Sequence, residues 1–189
     1  MRDITHKIQS LRTATAQAQV KAHPESIRAV KDYKIPKGDV FEIAKTAGIM
    51  AVKKTYEAIP HCHPIPIDHT DITFETDEHT ITLKVLVKSI NRTGCEMEAM
   101  YGANVVATTI YDLLKPIDDQ VEIQNIKLLE KHGGLSDFAE KPQQQLSGAV
   151  LVASDSISAG KKHDKAGKLI KERLEQEGLT VNHYDIIPD

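Results

Sequence analysis

The chain lacks the features that mark membrane, secreted or nucleic-acid-binding proteins. It has only two cysteines, Cys62 and Cys95, in 189 residues, and without a secretory signal we expect both to stay reduced. The opening residues have no apolar core of a signal peptide, and no apolar run approaches the roughly 20 residues of a membrane span. The formal charge of -3 lacks the basic excess that nucleic-acid binding needs. These absences predict a soluble, cytoplasmic, globular protein.

The composition changes after about residue 134, and this change divides the chain. Residues 135–147 are polar and glutamine-rich, as linkers are. The run GAVLVASDS that follows is typical of a buried parallel strand, and a helix from about Asp164 to Glu177 and the strand TVNHYDIIPD complete one βαβ unit. We therefore predict a first domain over residues 1–134, a linker over 135–147 and an incomplete α/β unit over 148–189.

The first part of the first domain has helical patterns. Its first thirty or so residues are polar and contain many alanines, which predicts a helix interrupted at His23 and a short second helix opened by Pro24. Asp39 followed by Glu42 is a capping-box-like start, and the apolar spacing after it predicts a helix that ends near Ala58.

After the predicted helix, the apolar residues recur at every second position instead of at helical spacing. Apolar residues alternate over residues 72–87 around a turn at Asp77, which predicts a hairpin with one buried face. We expect a short extended piece through Glu98, a helix from about Ala99 to Lys115, and a strand over residues 121–129. Helices and antiparallel strands in this order predict an α+β fold.

The run from Gly94 to Lys115 places charged side chains on a segment that is otherwise small and apolar. An ionised group packed against a core is costly unless it is paired or used. Asp112 stands in the last turn of the predicted helix, where the helix dipole disfavours a carboxylate. Asp112 and Lys115 are neighbours on one stripe, which suits proton transfer. An exposed helical ion pair is the ordinary alternative, and the spacing leaves both open.

The segment IPHCHPIPI presents His61, Cys62 and His63 between prolines. Three side chains of these types could be zinc ligands. However, adjacent residues of an extended chain point to opposite sides, and the sequence contains no second ligand cluster that would complete a set of four. We therefore predict no metal site. A rigid loop that presents His63 to a phosphate or a heterocycle and a structural proline-rich turn both remain open.

Three further segments could bind anions. Lys37 precedes the predicted helix start, where free backbone N–H groups attract anions; a solvated lysine is the alternative. Lys131 and His132 stand beside glycines, which fits a substrate loop or a strand end before a linker. The segment SDSISAGKKHDKAG could cradle phosphate after a strand, but it is no Walker motif.

Five segments, in this order, resemble the signature segments of one enzyme family. They are KGDVFEIAKTAGIMAVKKT, IPHCHPIPI, RTGCEMEA, TIYDLLK and LLEKHGG. Together they look like cyclic pyranopterin monophosphate synthase, an enzyme of molybdenum cofactor biosynthesis, over about Asp3 to Gly134. The part from GAVLVASDS onward resembles the opening of a molybdopterin adenylyltransferase domain, which implies a fusion of two pathway domains. We assign no activity to this second part.

The resemblance implies a ferredoxin-like antiparallel sheet with packed helices, in a hexamer built from dimers with active sites at subunit interfaces. It implies a lyase that converts 3',8-cyclo-7,8-dihydroguanosine 5'-triphosphate into cyclic pyranopterin monophosphate and diphosphate. It implies no cofactor beyond Mg²⁺ accompanying the triphosphate, and no nucleic-acid or membrane partner. A non-catalytic pterin- or nucleotide-binding scaffold of the same pathway is the alternative function.

Carried onto this sequence, the resemblance implies catalytic roles for Asp112, Lys115 and Lys37. It also implies substrate-binding roles, which we assign to His61, Cys62, His63, Glu96, Met97, Glu98, Lys131 and Arg12. An Asp and a Lys with shifted pKa values can move protons, and cations can hold a leaving diphosphate. Three positions depart from the family pattern. His61 replaces an apolar residue, and His132 and Leu135 both differ from the family's usual KSGGKSG ending, where Leu135 replaces a lysine.

Overall fold

The computed structural model describes residues 1–134, 137 and 146–189, and the chain forms two compact units, Met1–Ala139 and Glu140–Asp189. The first unit runs through β1 (Ser10–Lys21), α1 (Pro24–Lys31), α2 (Val40–Lys53), α3 (Thr55–Ala58), β2 (His69–Thr76), β3 (Thr80–Asn91), α4 (Glu96–Leu114) and β4 (Glu122–His132). The second unit runs through β5 (Ser147–Ala153), α5 (Asp155–Ser158), α6 (Ala166–Gln176) and β6 (Thr180–Ile187).

A four-stranded antiparallel sheet in the order β2-β3-β1-β4 forms the base of the first unit. β1 and β3 pair over their whole lengths, from Ser10 opposite Asn91 to Lys21 opposite Thr80. Two bulges interrupt the pairing of β1 with β4. The elements follow a β-α-β-β-α-β order. The predicted α+β fold, with an antiparallel sheet and packed helices, is confirmed.

Helix α4 packs on one face of this sheet, and α2 packs on α4. The core consists of alternate residues of β1 and β3 and the inner face of α4. Its members include Ala14, Ala16, Ala18, Val20, Ile81, Leu83, Val85, Val87, Ala103, Val106, Ile110, Leu113 and Leu114. The two helices approach closely at Gly48 and Gly102, where a Cβ atom on Gly102 would lie 2.6 Å from Val52 Cγ2.

The helix predicted for the first thirty residues is wrong up to residue 21, because residues 10–21 form the strand β1. Alanine favours a helix, but the apolar residues of TATAQAQV recur at every second position, which is the period of a strand. The four small residues on one side, Ala14, Ala16, Ala18 and Val20, are each no more than 1% exposed. Burial of that face outweighs helix propensity, while the helix opened by Pro24 is confirmed as α1.

The extended piece predicted through Glu98 is also wrong, because α4 begins at Glu96. Both glutamates fall in the first turn of the helix, where the dipole favours carboxylates. The N–H group of Ala99 donates to the Cys95 carbonyl at 3.1 Å, which closes that first turn. On a helix Glu96 and Glu98 point in different directions, whereas on the expected strand they would have shared a face.

The long helix predicted from Asp39 to near Ala58 is present but divided. It is interrupted at Lys54, which ends α2 and precedes the single turn of α3. The predicted cap is confirmed, because the Asp39 carboxylate accepts hydrogen bonds from the N–H groups of Phe41 and Glu42. The hairpin predicted around Asp77 is confirmed as β2 and β3.

The second unit contains two parallel strands, β5 and β6, with α5 and α6 between them in sequence. Just before α6, Asp164 accepts hydrogen bonds from the N–H group of Gly167 and from the Tyr184 hydroxyl. The predicted strand–helix–strand order is confirmed. The linker predicted for 135–147 lies outside the described residues except at positions 137, 146 and 147, and Leu135 lies outside them too. In the part of the chain that the structure describes, no helix is both long and apolar enough to cross a membrane.

Candidate active site

Lys37, Asp112 and Lys115 meet at the carboxyl-terminal end of α4, and we call them the lysine–aspartate cluster. Asp112 Oδ1 lies 2.7 Å from Lys115 Nζ, and Asp112 Oδ2 lies 2.8 Å from Lys37 Nζ. Lys37 also donates a hydrogen bond of 2.9 Å to the backbone carbonyl of Asp112. The fold therefore brings together the three residues predicted to be catalytic.

Local sequence accounts for much of this cluster. Asp112 and Lys115 are three residues apart, so they are neighbours on the helix surface. Lys115 caps α4 and Pro116 follows it, so the helix cannot continue. Lys37 lies in the loop before α2, beside Gly38, whose φ of +109° suits glycine. The contact between Lys37 and Asp112 depends on the packing of two elements that are distant in sequence.

The two ammonium groups determine the charge state of Asp112. Hydrogen bonds from Lys115 and then from Lys37 lower the pKa of Asp112 to about 2, and the bond to Asp112 raises the pKa of Lys115. The three side chains are 40–53% exposed, so a ligand can reach them from solvent. At neutral pH the cluster carries two positive charges and one negative charge, which suits an anionic ligand.

A second group lies at the amino-terminal end of α4 and centres on Glu98. This residue is only 4% exposed, and burial raises its pKa to about 7, with the negative charge of Glu96 adding to the rise. Burial and then the Glu98 carboxylate raise the pKa of the Cys62 thiol and of the Cys95 thiol, the latter to about 12. A carboxyl group that titrates near neutral pH thus interacts with two protonated thiols.

A cleft of about 130 Å³ lies near this group, and we call it the cationic cleft. Its described lining residues are Arg12, Thr13, Gly94, Glu96, Lys131, His132, Gly134 and Asp137. Within it, Glu96 Oε1 lies 3.0 Å from Lys131 Nζ. Gly94 leaves room for this pair, because a Cβ atom at that position would collide with the Glu96 carboxylate. Three residues predicted to bind substrate, Arg12, Glu96 and Lys131, thus share one cleft.

The remaining residues predicted to bind substrate are Met97, His61 and His63. Met97 is 41% exposed on the first turn of α4. In the loop before β2, His61 is exposed and His63 is half-buried. Ser89 on β3 fixes this loop by donating a hydrogen bond of 2.7 Å to the Pro66 carbonyl. This bond anchors the end of the loop to the sheet, and both the ligand-presenting loop and the structural turn agree with it.

A group of possible metal ligands lies at the turn after α4. Among the described residues, one group of three possible metal ligands has its ligand atoms within 4.8 Å of one another, and it consists of His23, Asp118 and Asp119. The buried carboxylate of Asp118 already accepts hydrogen bonds from the backbone N–H groups of His23 and Gln120. These bonds indicate a structural role for Asp118, which joins the start of α1 to the turn after α4.

The two groups of predicted site residues lie at opposite ends of α4. Glu98 and Asp112 are fourteen residues apart on this helix, which is about 21 Å at a rise of 1.5 Å per residue. Within one chain, the fold therefore separates the predicted catalytic residues from the predicted substrate-binding residues.

Sequence reasoning assigned no site role to Cys95 or Asp137. Cys95 is buried, and its thiol interacts with Glu98. Asp137 lines the cationic cleft, and its carboxylate accepts a hydrogen bond of 2.6 Å from the N–H group of Gly133. The segment RTGCEMEA could have indicated Cys95, but only with the correct helix start. Asp137 lies where we predicted a linker, and no local pattern marks it.

The chain is similar to known proteins over much of its length. The profile of the MoaC family matches residues 1–134. The chain is 39% identical to the molybdenum cofactor biosynthesis bifunctional protein of Chlorobaculum tepidum over 189 residues. The matched region is all of this chain and 60% of that protein. The chain is 41% identical to the cyclic pyranopterin monophosphate synthase of Aquifex aeolicus over 136 residues. The matched region is 72% of this chain and 54% of the relative.

The synthase of Geotalea uraniireducens is 43% identical over 147 residues, which is 77% of this chain and 92% of the relative. The chain thus spans between half and two thirds of the first two relatives and nearly all of this third one. Because the family profile covers the entire first predicted domain, the chain belongs to the MoaC family.

Proposed function

We propose that the first unit converts 3',8-cyclo-7,8-dihydroguanosine 5'-triphosphate into cyclic pyranopterin monophosphate and diphosphate, a lyase step of molybdenum cofactor biosynthesis. Relatives named cyclic pyranopterin monophosphate synthase support this reaction. The observation that carries the proposal is the lysine–aspartate cluster, in which Asp112 pairs with Lys37 and Lys115 at 2.8 and 2.7 Å. This exposed cluster offers both proton donors and positive charge to a phosphorylated ligand.

The charge states in the free protein support different roles for the two carboxyl groups. Lys115 is protonated beside Asp112, which raises its pKa, and its exposed ammonium group can donate a proton as a general acid. Asp112, with a pKa of about 2, is a weak base and orients the two ammonium groups. Glu98, with a pKa of about 7, can take up and release a proton at neutral pH. In this proposal, Lys115 and Glu98 move protons while the ring is rearranged.

The phosphate chemistry calls for cations. A hydroxyl group of the sugar-derived part bonds to the α-phosphorus, and the bond from that phosphorus to the bridging oxygen breaks. The hydroxyl proton passes to a base, and diphosphate leaves. Lys37 of the lysine–aspartate cluster and Arg12 and Lys131 of the cationic cleft supply positive charge to the phosphates. Magnesium enters this proposal as a companion of the substrate triphosphate, since Mg²⁺ is commonly bound through substrate phosphates.

We further propose that a complete site uses two copies of the chain. The separation of about 21 Å between Glu98 and Asp112 along α4 supports this. Large apolar side chains that are 38–49% exposed also lie on α2, α3 and α4, namely Ile43, Met50, Tyr56, Met97 and Tyr111. If α4 packs antiparallel to its counterpart about a two-fold axis, Asp112 of one copy approaches Glu98 of the other. The hexamer built from dimers and the ferredoxin-like classification that the resemblance implies belong to the same proposal.

The test of the reaction is incubation of the whole chain with the cyclised dihydro-GTP. We expect release of diphosphate together with cyclic pyranopterin monophosphate. Binding of the substrate without either product would instead favour the non-catalytic scaffold. A cytoplasmic location is also part of the proposal, because the substrate derives from GTP.

A mixing experiment tests the shared site. Asp112→Ala and Glu98→Ala variants are expected to be inactive alone. When equal amounts are unfolded and refolded together, random pairing restores one intact site in the mixed dimers, and about a quarter of the wild-type activity should return. A mixture that stays inactive, beside refolded wild-type protein that is active, would place each site within a single copy.

A further inference from the structure

The cationic cleft contains carboxylates of its own. Lys131 Nζ lies 3.0 Å from Glu96 Oε1, and His132 Nδ1 lies 3.9 Å from Asp137 Oδ2. The described lining residues include three basic side chains, those of Arg12, Lys131 and His132. Lys131 and His132 each lie near a carboxylate of the cleft. Arg12, the third, donates a hydrogen bond of 3.5 Å to a backbone carbonyl.

The turn after β4 determines the position of Asp137. The Asp137 carboxylate accepts a hydrogen bond of 2.6 Å from the N–H group of Gly133. Ser10 on β1 donates a hydrogen bond of 2.9 Å to the Gly133 carbonyl. Gly133 has a φ of +96°, and a Cβ atom there would collide with the Leu11 backbone. Contacts with β1 therefore hold the turn, and the turn holds the Asp137 carboxylate at the cleft.

We propose that Asp137 is a built-in competitor for anions in the cationic cleft, so that a phosphate group binds there against the repulsion of this carboxylate. The inference rests on the proposed function, which brings a triphosphate to the cleft. The His132 side chain is 65% exposed and that of Asp137 is 37% exposed. A phosphate bound in the cleft therefore lies beside an exposed carboxylate, and like charges a few ångströms apart repel.

This arrangement has a consequence for the reaction. Arg12 and Lys131 attract the phosphates of the incoming substrate. Diphosphate is released as product, and a cleft with uncompensated cations would retain it. The competing carboxylate weakens that retention, because the turn holds it at the cleft, where it repels the bound diphosphate. Asp137 thus regulates the occupancy of the cleft through charge.

The experiment is a calorimetric titration of the whole chain with inorganic diphosphate. Asp137→Asn removes the charge but keeps an oxygen that can accept the Gly133 hydrogen bond. We expect this variant to bind diphosphate about fivefold more tightly than wild type, because one repulsive charge is gone. The matched control is Asp71→Asn, which makes the same charge change at an exposed position of β2, on the opposite edge of the sheet from β4.

Two results would overturn the inference. One is an Asp137→Asn variant that binds diphosphate no more tightly than Asp71→Asn. The other is unchanged affinity in Arg12→Ala, which is expected to weaken binding about tenfold if the anion sits in the cleft. The outcome is separable from the proposed function: tighter binding by Asp137→Asn in a protein without turnover supports the competitor and rejects the lyase. Turnover without tighter binding supports the lyase and rejects the competitor.

Discussion

Lys37 donates two hydrogen bonds to Asp112, one of 2.9 Å to the backbone carbonyl and one of 2.8 Å to the carboxylate. These bonds join the loop before α2 to the last turn of α4. Because Lys115 engages the other carboxylate oxygen at 2.7 Å, the orientation of Asp112 is defined by two cations. In the free protein, Asp112 is thus better suited to positioning ammonium groups than to accepting a proton.

The first prediction concerns Lys115. If its ammonium group delivers a proton, Lys115→Ala should lower the rate of diphosphate release at saturating substrate by about 10²- to 10⁴-fold. Lys84→Ala is the control, because Lys84 forms an exposed ion pair of 3.0 Å with Glu75 on the sheet and should leave the rate unchanged. A Lys115→Ala variant that works at the normal rate would refute the assignment.

The second prediction is a pH effect of Asp112. Asp112 raises the pKa of Lys115 by accepting its hydrogen bond, so Asp112→Asn should lower the pKa of that lysine. The acid form of Lys115 is then lost at a lower pH, and the alkaline limb of the profile of rate against pH should move to lower pH. The measurement is that profile for both proteins. An unmoved alkaline limb would show that Lys115 does not act as the acid.

The third prediction links Glu98 to stability. Its pKa is about 7 in the folded protein against 4.5 ordinarily, so the folded state keeps a proton that the unfolded state has released. The contribution of Glu98 to the free energy of unfolding is complete below about pH 4.5 and is lost as the pH rises through about 7. The total loss is about 3 kcal/mol. Glu98→Gln should remove this loss, and the variant should be more stable than wild type at about pH 8.

Urea unfolding at about pH 4.5 and about pH 8 measures this effect, at one protein concentration throughout. Glu75→Gln is the control, because the Glu75 side chain is 69% exposed. If wild type and Glu98→Gln lose stability in parallel between the two pH values, then the protonation of Glu98 is not coupled to folding.

The fourth prediction concerns the contact between α2 and α4. A Cβ atom on Gly102 would lie 2.6 Å from Val52 Cγ2, so Gly102→Ala should force the helices apart. We expect a loss of about 1–3 kcal/mol in the free energy of unfolding, despite the gain of up to about 1 kcal/mol in helix propensity. In thermal unfolding, Gly148→Ala is the control, because the nearest side-chain atom to its added Cβ is 4.0 Å away. Equal effects of the two substitutions would contradict close helix packing.

The fifth prediction compares two adjacent aspartates. Asp118 is 3% exposed and accepts hydrogen bonds of 2.7 Å from the His23 N–H group and 3.0 Å from the Gln120 N–H group. Asp118→Ala should cost about 2 kcal/mol, because it removes both hydrogen bonds that this buried carboxylate accepts. Asp119→Ala removes an exposed neighbour and should cost little. Similar melting temperatures for the two variants would be evidence against this structural role.

Features that depend on near neighbours could be predicted from the sequence. The cap of α2 at Asp39, the hairpin around Asp77 and the pair of Asp112 with Lys115 are examples. Each depends on periodicity, turn chemistry or helical spacing, and these interactions act over only a few residues. The family signature likewise consists of short segments, so the family too could be identified from sequence.

Burial and contacts between distant elements required the tertiary structure. Ala16 belongs to a strand because packing against α4 buries its side of β1, and this outweighs the helix propensity of alanine. Glu98 has its raised pKa because α4 begins at Glu96 and turns that side chain into the interior. Lys37 reaches Asp112 only because α2 lies beside α4. The local sequence thus determined which residue types the site contains, whereas packing decided their charge states and their division between the two ends of α4.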